Sequence, residues 1–544
     1  MRPLIALFAV LAVSASPRAQ SIPVLQEEGM AAYRGANYAE SARLLAAALD
    51  AGSRSSADAY NAACSFALAG QKEAAFDHLR LALALGWTNA DHLRRDSDLD
   101  SLHDDPRWAD VVASAEARAS LAERFWAGSA FDTPFREDLA ADEKLAGLSM
   151  IWSEAKYNFV NFDLVPDLDW DSLYVATIPE VLATTSTADY YRVLTGMVAQ
   201  LRDGHSNVYL PEELDARVNA RPGLRTRLVE GRVLIVELRD PALTDAGLMV
   251  GQEVVAVDGE SVREYAEREV RPYQSASTAQ DLDTRTFEYM LLAGDAAAPV
   301  TLTLRNTDGT TIERTVPRLT REQTRALGGS YPAFELSWLP GRVAHVRLNT
   351  FGSDEAADAF LARFDEIAEA EALVLDVRDN GGGNSGVGWR ILCTLTDAEA
   401  IAVASWRTRL YRPTYRAWGR GEETDGDLAP TYGCDGALHF EGPVAVVTSP
   451  RTFSAAEDFA VAFNVMDRGP IVGEPTGGST GQPLFFPLPG GGRARVTTKH
   501  DAYPDGRAFV GVGVLPDVQA WPTVESVRSG TDPVLDAAIR ALAD

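Results

Sequence analysis

The stretch Gly442–Met466 reads GPVAVVTSPRTFSAAEDFAVAFNVM, and it decides the architecture. Val444–Val447 is apolar at every position, the pattern of a strand buried on both faces. From Phe453 the apolar residues return at helical spacing, so this strand feeds a helix. The same alternation surrounds it. RVAHVRLN (342–349) precedes the helix-like AADAFLARFDEIAEA (356–370), ALVLDVR (372–378) precedes a second helix-like run, and PIVGE (470–474) follows the third. Apolar strands alternating with amphipathic helices, from about residue 335 to the end, predict a layered α/β core.

Upstream the texture changes. Residues 225–318 carry short β runs, RVLIVEL (232–238), EVVAVDG (253–259) and PVTLTLRN (299–306), with an Asp308-Gly309 hairpin signal. Overlapping the second run, DAGLMVGQEVVAVDGESV (245–262) resembles the helix–turn–strand segment of PDZ domains. That resemblance implies capture of a peptide C-terminus by strand addition; a non-binding spacer is the alternative. Residues 125–211 read as helical, most clearly over Leu145–Tyr157 and Tyr190–Leu201, and close in LRDGHSNVYLP (201–211). Residues 24–119 are helical and repeat, since Leu45, Ala48 and Leu49 return 34 positions later as Leu79, Ala82 and Leu83. A period of 34 with small residues at helix crossings is the signature of tetratricopeptide helix pairs. Two repeats are fewer than usual, so the pair is expected to close on the 96–111 segment or on the next domain. A groove for a protein partner and a structural spacer both remain open.

The length of 544 residues exceeds what one hydrophobic core supports. An apolar fraction of 46% with 24% charged residues excludes whole-chain disorder and collagen-like repeats. Lys+Arg 50 against Asp+Glu 78 gives a net charge of −28, which repels nucleic-acid phosphate and anionic lipid. Only Lys72, Lys144, Lys156 and Lys499 are lysines, a bias that a salty habitat or a GC-rich genome would each produce. Residues 1–20 read as a signal peptide: Arg2, then an apolar run Leu4–Val13, then small residues up to Ala19. No later segment reaches the roughly 18 uninterrupted apolar residues that span a bilayer. The chain is therefore expected to be exported, to periplasm or medium. Three cysteines cannot build a disulfide framework; Cys393 and Cys434 are the only pair considered, and the sequence does not decide whether they bond. No Cys/His cluster has zinc-ligand spacing, so no metal or other cofactor is expected.

Three segments could carry chemistry. In VLDVRDNGGGNSG (374–386) three glycines after a buried strand let backbone N–H groups approach a ligand; a tight turn is the plainer reading. In TFSAAED (452–458) Ser454 lies where a helix begins, and the helix N-terminus would stabilise an alkoxide or oxyanion. Serine is equally a common helix N-cap. The third is Asp203-Gly204-His205-Ser206. A serine nucleophile needs a base that titrates near neutrality, and of seven histidines only His205 combines a glycine turn with the end of a helical segment.

Taken together, these motifs resemble the serine peptidase family of C-terminal processing (tail-specific) proteases and the catalytic half of tricorn protease. The resemblance runs from about Asp142 to Val518 and includes the DGHS turn, the PDZ insertion, VRLNTF (346–351), LDVRDNGGG (375–383), TFSAAED, VGEPTGGSTGQ (472–482) and VGVGVLPDV (510–518). It implies Ser454 as nucleophile, with Gly382 and the N–H of Ala455 as oxyanion hole. Processing proteases take their base from a lysine in a VGEKTFGKG-like segment, where this chain has Ser479. Tricorn-like members use the histidine of the DGH turn, which assigns the base to His205, with Lys499 the lysine to consider otherwise. Such members often place a glutamate where this chain has Val510, so the residue orienting His205 is left open among Asp203, Asp501, Asp505 and Glu474.

The expected molecule is a multidomain α/β protein. Residues 1–20 are a signal peptide, 21–120 tetratricopeptide-like repeats, 121–215 the helical N-terminal part of the peptidase, 216–320 a PDZ-like β domain, and 321–540 a crotonase-like α/β core. The implied activity is acyl transfer to Ser454 from a polypeptide or peptide substrate. The competing readings are a carrier of a hydrophobic ligand or peptide on the same fold, and an esterase. Against the latter, no G-x-S-x-G elbow surrounds Ser454. The Arg- and aromatic-rich insert SWRTRLYRPTYRAWGRGEE (405–423) is either a substrate entrance able to bind a C-terminal carboxylate or a solvated flap.

Overall fold

A computed structural model describes residues 21–126, 128–328 and 331–543; residues 1–20, expected to be a signal peptide, lie outside the described residues. The described residues divide after Ser129 into two units. This boundary falls past residue 120 because the helix Pro106–Trp126 runs unbroken across that position.

The first unit is all helix. Ile22–Arg34, Tyr38–Asp50, Ser56–Leu68 and Lys72–Ala84 follow one another with short turns. Gly29 stands where a Cβ would come 2.9 Å from Leu45, so the first two helices pack closely. Leu45 and Leu79, the pair that marks the repeat, are both buried, with Tyr60, Phe76 and Leu83 around them. Leu99, Leu102 and Val111 join this same core. The 96–111 segment thus covers an apolar face that the first four helices alone would leave wet.

The second unit holds three bodies. The helices Ala141–Asn158, Trp170–Ala183 and Thr187–Ala199 bury Leu148, Ile151, Phe159, Tyr190, Tyr191 and Leu194 against Phe486, Leu488, Ala494 and Val496. Those last four residues belong to an antiparallel sheet of Asn207–Tyr209, Gly492–Thr497 and Pro483–Leu488, in that order. The strand after His205 is therefore pinned to a segment nearly 300 positions away, through the pairing of Asn207 with Arg495.

The β domain is an antiparallel sheet in the order Leu224–Val229, Arg232–Leu238, Glu253–Val257, Val300–Arg305, Thr311–Val316. Asp308-Gly309 lies in the turn of its last hairpin, with Gly309 at φ +88°. The core sheet has the order Val518–Gln519, Ile471–Gly473, Val444–Thr448, Ala372–Asp376, Val343–Leu348, Phe334–Leu339; its first five strands are parallel and the last is antiparallel. Alternate residues point to opposite faces. Leu373, Leu375, Val444 and Val446 meet the helices Glu355–Ala362, Ser385–Leu392 and Ala455–Met466, while Val374, Ala445 and Val447 meet Pro533–Ala541. Both faces are covered, which is why these strands carry no polar alternation. Cys393 and Cys434 form a disulfide with Cα atoms 5.4 Å apart, tying the helix Ser385–Leu392 to the strand Thr431–Gly433.

Candidate active site

The strand Val444–Thr448 ends in a turn whose hydroxyls are spent on the neighbouring strand end: Ser449 Oγ donates to Arg378 O at 2.7 Å and Thr452 Oγ1 to Val377 O at 2.8 Å. This fastening holds Ser454 at φ 57°, ψ −126°, a backbone conformation that a residue with a Cβ rarely adopts. The helix Ala455–Met466 begins directly after it. Where a plain N-cap serine turns its hydroxyl to helix amides, Ser454 Oγ lies 3.0 Å from His205 Nε2.

His205 is fixed from every side. Asp203 Oδ1 accepts the His205 N–H at 3.0 Å, Ser206 Oγ at 3.0 Å and Thr497 Oγ1 at 2.6 Å, and Asn161 donates to its Oδ2 at 3.0 Å. The imidazole stacks on Phe453, centroids 4.8 Å apart and nearly parallel. Gly204 leaves room for this arrangement, since a Cβ there would sit 2.8 Å from Phe453 Cζ and 3.0 Å from Ser479 Cβ. Burial, followed by the positive charges of Arg495, Arg285 and Lys499, holds the His205 pKa well below its ordinary value. The ring is therefore neutral at pH 7, the state a base requires.

The four carboxylates considered as orienters do not reach the imidazole. Asp203 braces the backbone of the turn. Asp501 takes Thr480 Oγ1 at 2.7 Å and the Lys499 ammonium at 2.9 Å. Asp505 is exposed and paired with Arg507, and Glu474 is paired with Arg227 of the β domain. What faces Nδ1 is Ser479 Oγ, at 2.9 Å. Val510, in the position where a glutamate was the alternative, packs into the apolar core at 1% exposure. Burial works against the charge of Lys499, but Asp501 and Asp458 outweigh it and hold its pKa above the ordinary lysine value.

In the glycine turn, Gly382 at φ 94° approaches Ser454 so closely that a Cβ would lie 2.7 Å from Ser454 Cβ, 2.6 Å from Phe453 O and 2.8 Å from Ala455 N. Its own N–H, however, donates to Asn380 Oδ1 at 2.9 Å. The turn thus abuts Ser454 as expected, but the Gly382 amide is engaged, leaving Ala455 N–H as the donor at the open end of the helix.

Sequence reasoning missed Glu457. This carboxylate is fully buried and accepts from Thr476 Oγ1 at 2.5 Å, Gly478 N at 2.7 Å, Ser479 N at 2.9 Å and Ser454 N at 3.3 Å. Burial nevertheless pushes its pKa up to about 8. Its signal was the acidic pair Glu457-Asp458 in the first turn of a helix that is otherwise mostly apolar. The β domain also reaches the site. Ser277 Oγ accepts Gly204 N–H at 3.0 Å, Arg285 donates to Gly204 O at 3.2 Å, and Thr278 Oγ1 donates to Gly477 O at 2.8 Å.

Residues 342–520 match peptidase family S41. This chain carries an S41 peptidase domain. The S41 match includes Ser454, Ala455, Gly382 and Ser479 but not His205, whose place beside the serine rests on geometry. A chloroplastic C-terminal processing peptidase of Tetradesmus obliquus is 27% identical over 290 residues, 51% of this chain and 54% of that protein. A tricorn protease homolog of Streptomyces coelicolor is 31% identical over 173 residues, 31% of this chain and 13% of its relative. The chain thus spans about half, or less, of these curated relatives. Mature CPAF, solved in complex with lactacystin, shares the fold with a TM-score of 0.59 at 16% identity, covering 74% of this chain and 98% of CPAF.

Proposed function

We propose that this protein is a serine peptidase that hydrolyses peptide bonds in polypeptides through an acyl-enzyme on Ser454, with His205 as general base. The observation that carries this reading is the 3.0 Å contact between Ser454 Oγ and His205 Nε2, made by a serine at φ 57° on a helix N-terminus. Ser454 Oγ attacks the scissile carbonyl carbon as its proton passes to Nε2, and the carbonyl oxygen becomes an oxyanion facing Ala455 N–H. Gly382 N–H joins that hole if it exchanges Asn380 Oδ1 for the oxyanion. Nε2–H then protonates the leaving amine, the C–N bond breaks, and a water activated by the same nitrogen releases the acid. These residues supply nucleophile and base, so no step is routed through a metal or nucleotide.

In this reading, residues 321–540 are a crotonase-like core, 216–320 a PDZ-like domain and 21–120 tetratricopeptide-like repeats that offer a surface to a protein partner. The hydrogen bonds that Ser277, Thr278 and Arg285 share with the Gly204 turn and the Gly477 segment support a gating role for the PDZ-like domain. The disulfide supports export to an oxidising compartment, as a signal peptide at 1–20 would provide. The test is incubation of the purified chain with an unstructured polypeptide and mass-spectrometric identification of products. Cuts made by wild type and absent with Ser454→Ala are expected; a wild type that cuts nothing contradicts the proposal.

A further inference from the structure

The residue orienting His205 was expected to be a carboxylate, Asp203, Asp501, Asp505 or Glu474, and none of them faces its Nδ1. His205 Nε2 can take the Ser454 proton only if the ring proton resides on Nδ1, so whatever faces Nδ1 sets the fraction of enzyme in the working tautomer. Ser479 Oγ faces it, at 2.9 Å and fully buried. The contact is built, not incidental. Ser479 N–H is held by Glu457, and Ser479 O accepts the backbone N–H of Ser454 at 3.2 Å, so the peptide that presents this hydroxyl is bonded to the peptide that presents the nucleophile. Gly478 before it, at φ 77°, is packed so that a Cβ would lie 2.4 Å from Thr278 Cγ2 and 2.8 Å from Gly513 N. The segment therefore has one way to lie.

We infer that Ser479 is the positioning residue for His205, replacing a carboxylate with a hydroxyl in a Ser–His–Ser array whose second serine is fixed through Glu457. This rests on the reading of Ser454 and His205 as nucleophile and base. The array has consequences that a carboxylate triad does not. A carboxylate accepts only, whereas a hydroxyl both accepts and donates, so Ser479 permits either tautomer and biases the ring weakly. Nor does a hydroxyl offset the imidazolium charge that forms as Ser454 loses its proton. The titratable groups around the ring are the cations Arg285, Arg495 and Lys499, with Asp203 on the turn backbone, Asp281 paired to Arg285, and Glu457, its pKa raised to about 8 by burial, beneath Ser479. The array suits a slow base that stays neutral into acid.

The test uses the full chain labelled with 15N-histidine. The His205 signal is assigned by its loss in His205→Ala. Its tautomer populations, and the kcat and KM for an unstructured polypeptide, are then compared between wild type and Ser479 variants of unchanged melting temperature. Ser479→Ala should move His205 toward the Nε2–H tautomer and lower kcat about 10- to 100-fold with KM unchanged. Ser479→Thr, which keeps the hydroxyl, should restore most of both. Ser479→Asp should shift the acid limb of the pH profile upward by stabilising the imidazolium. An Ala variant with wild-type tautomer populations and kcat overturns the inference. A wild type without turnover contradicts the peptidase reading, while the tautomer shift still decides the role of Ser479.

Discussion

Gly204→Ala is the sharpest structural perturbation of the site. Gly204 is not in a left-handed conformation, so the cost of a methyl there is one of space alone. The added Cβ would stand 2.8 Å from Phe453 Cζ, 3.0 Å from Asp281 Oδ2 and 3.0 Å from Ser479 Cβ. Ordinary carbon contacts begin near 3.4 Å, so the turn or the Phe453 ring must retreat by about 0.6 Å, in a core where overpacking costs about 1–3 kcal/mol. Phe453 is the platform on which His205 stacks, and Ser479 faces its Nδ1, so the retreat is transmitted to both contacts of the imidazole. A 1 Å misplacement of catalytic groups costs about 10²-fold, so a shift of this size should lower kcat by about 10-fold. The assay is steady-state cleavage of an unstructured polypeptide beside urea melts of both proteins. Wild-type kcat together with wild-type stability would refute the packing argument.

Other consequences follow from the charges and the disulfide. Because His205 is held neutral by burial and by three cations, the acid limb of kcat/KM should lie below the ordinary histidine value of about 6.5. The unfolded chain binds that proton more readily, so stability should also fall as pH drops below the same value; a limb at or above it contradicts the electrostatics. If His205 is the base, Lys499→Met should keep turnover within about tenfold of wild type, because its ammonium is paired with Asp501. A loss as deep as that of His205→Ala would reassign it. Cys393→Ser should lower unfolding free energy by about 2–4 kcal/mol, since the bridge closes a loop with a sequence separation of 41, and denaturant melts with and without reductant would show it.

The strands of the α/β core were the plainest to read from sequence, because their burial is symmetric. Val444–Thr448 and Ala372–Asp376 are buried at every position, so their apolar runs were unmistakable. The sheet that carries the strand after His205 left no such trace. Pro483–Leu488 contains two prolines and Asn207–Tyr209 is three residues long, and they meet only because Gly492–Thr497 pairs with both. Glu423–Asp427 is exposed throughout and reads as a loop. In the site, Ser454, His205 and the glycine turn were legible because each sits where a strand or helix ends, which is where side chains and amides converge. Ser479 stood out only as the absence of a lysine, since nothing along the chain tells that residues 205 and 479 share a hydrogen bond. The engagement of Gly382 N–H by Asn380 is likewise a matter of turn geometry, which composition does not encode.

The central claim, that Ser454 is a nucleophile activated by His205, is tested most directly by mass-spectrometric mapping after reaction with a fluorophosphonate. An adduct on Ser454 in wild type, forming at least about 10³-fold more slowly in His205→Ala, is the predicted result. A wild type left unmodified at Ser454, or an adduct that forms equally fast without His205, would contradict it.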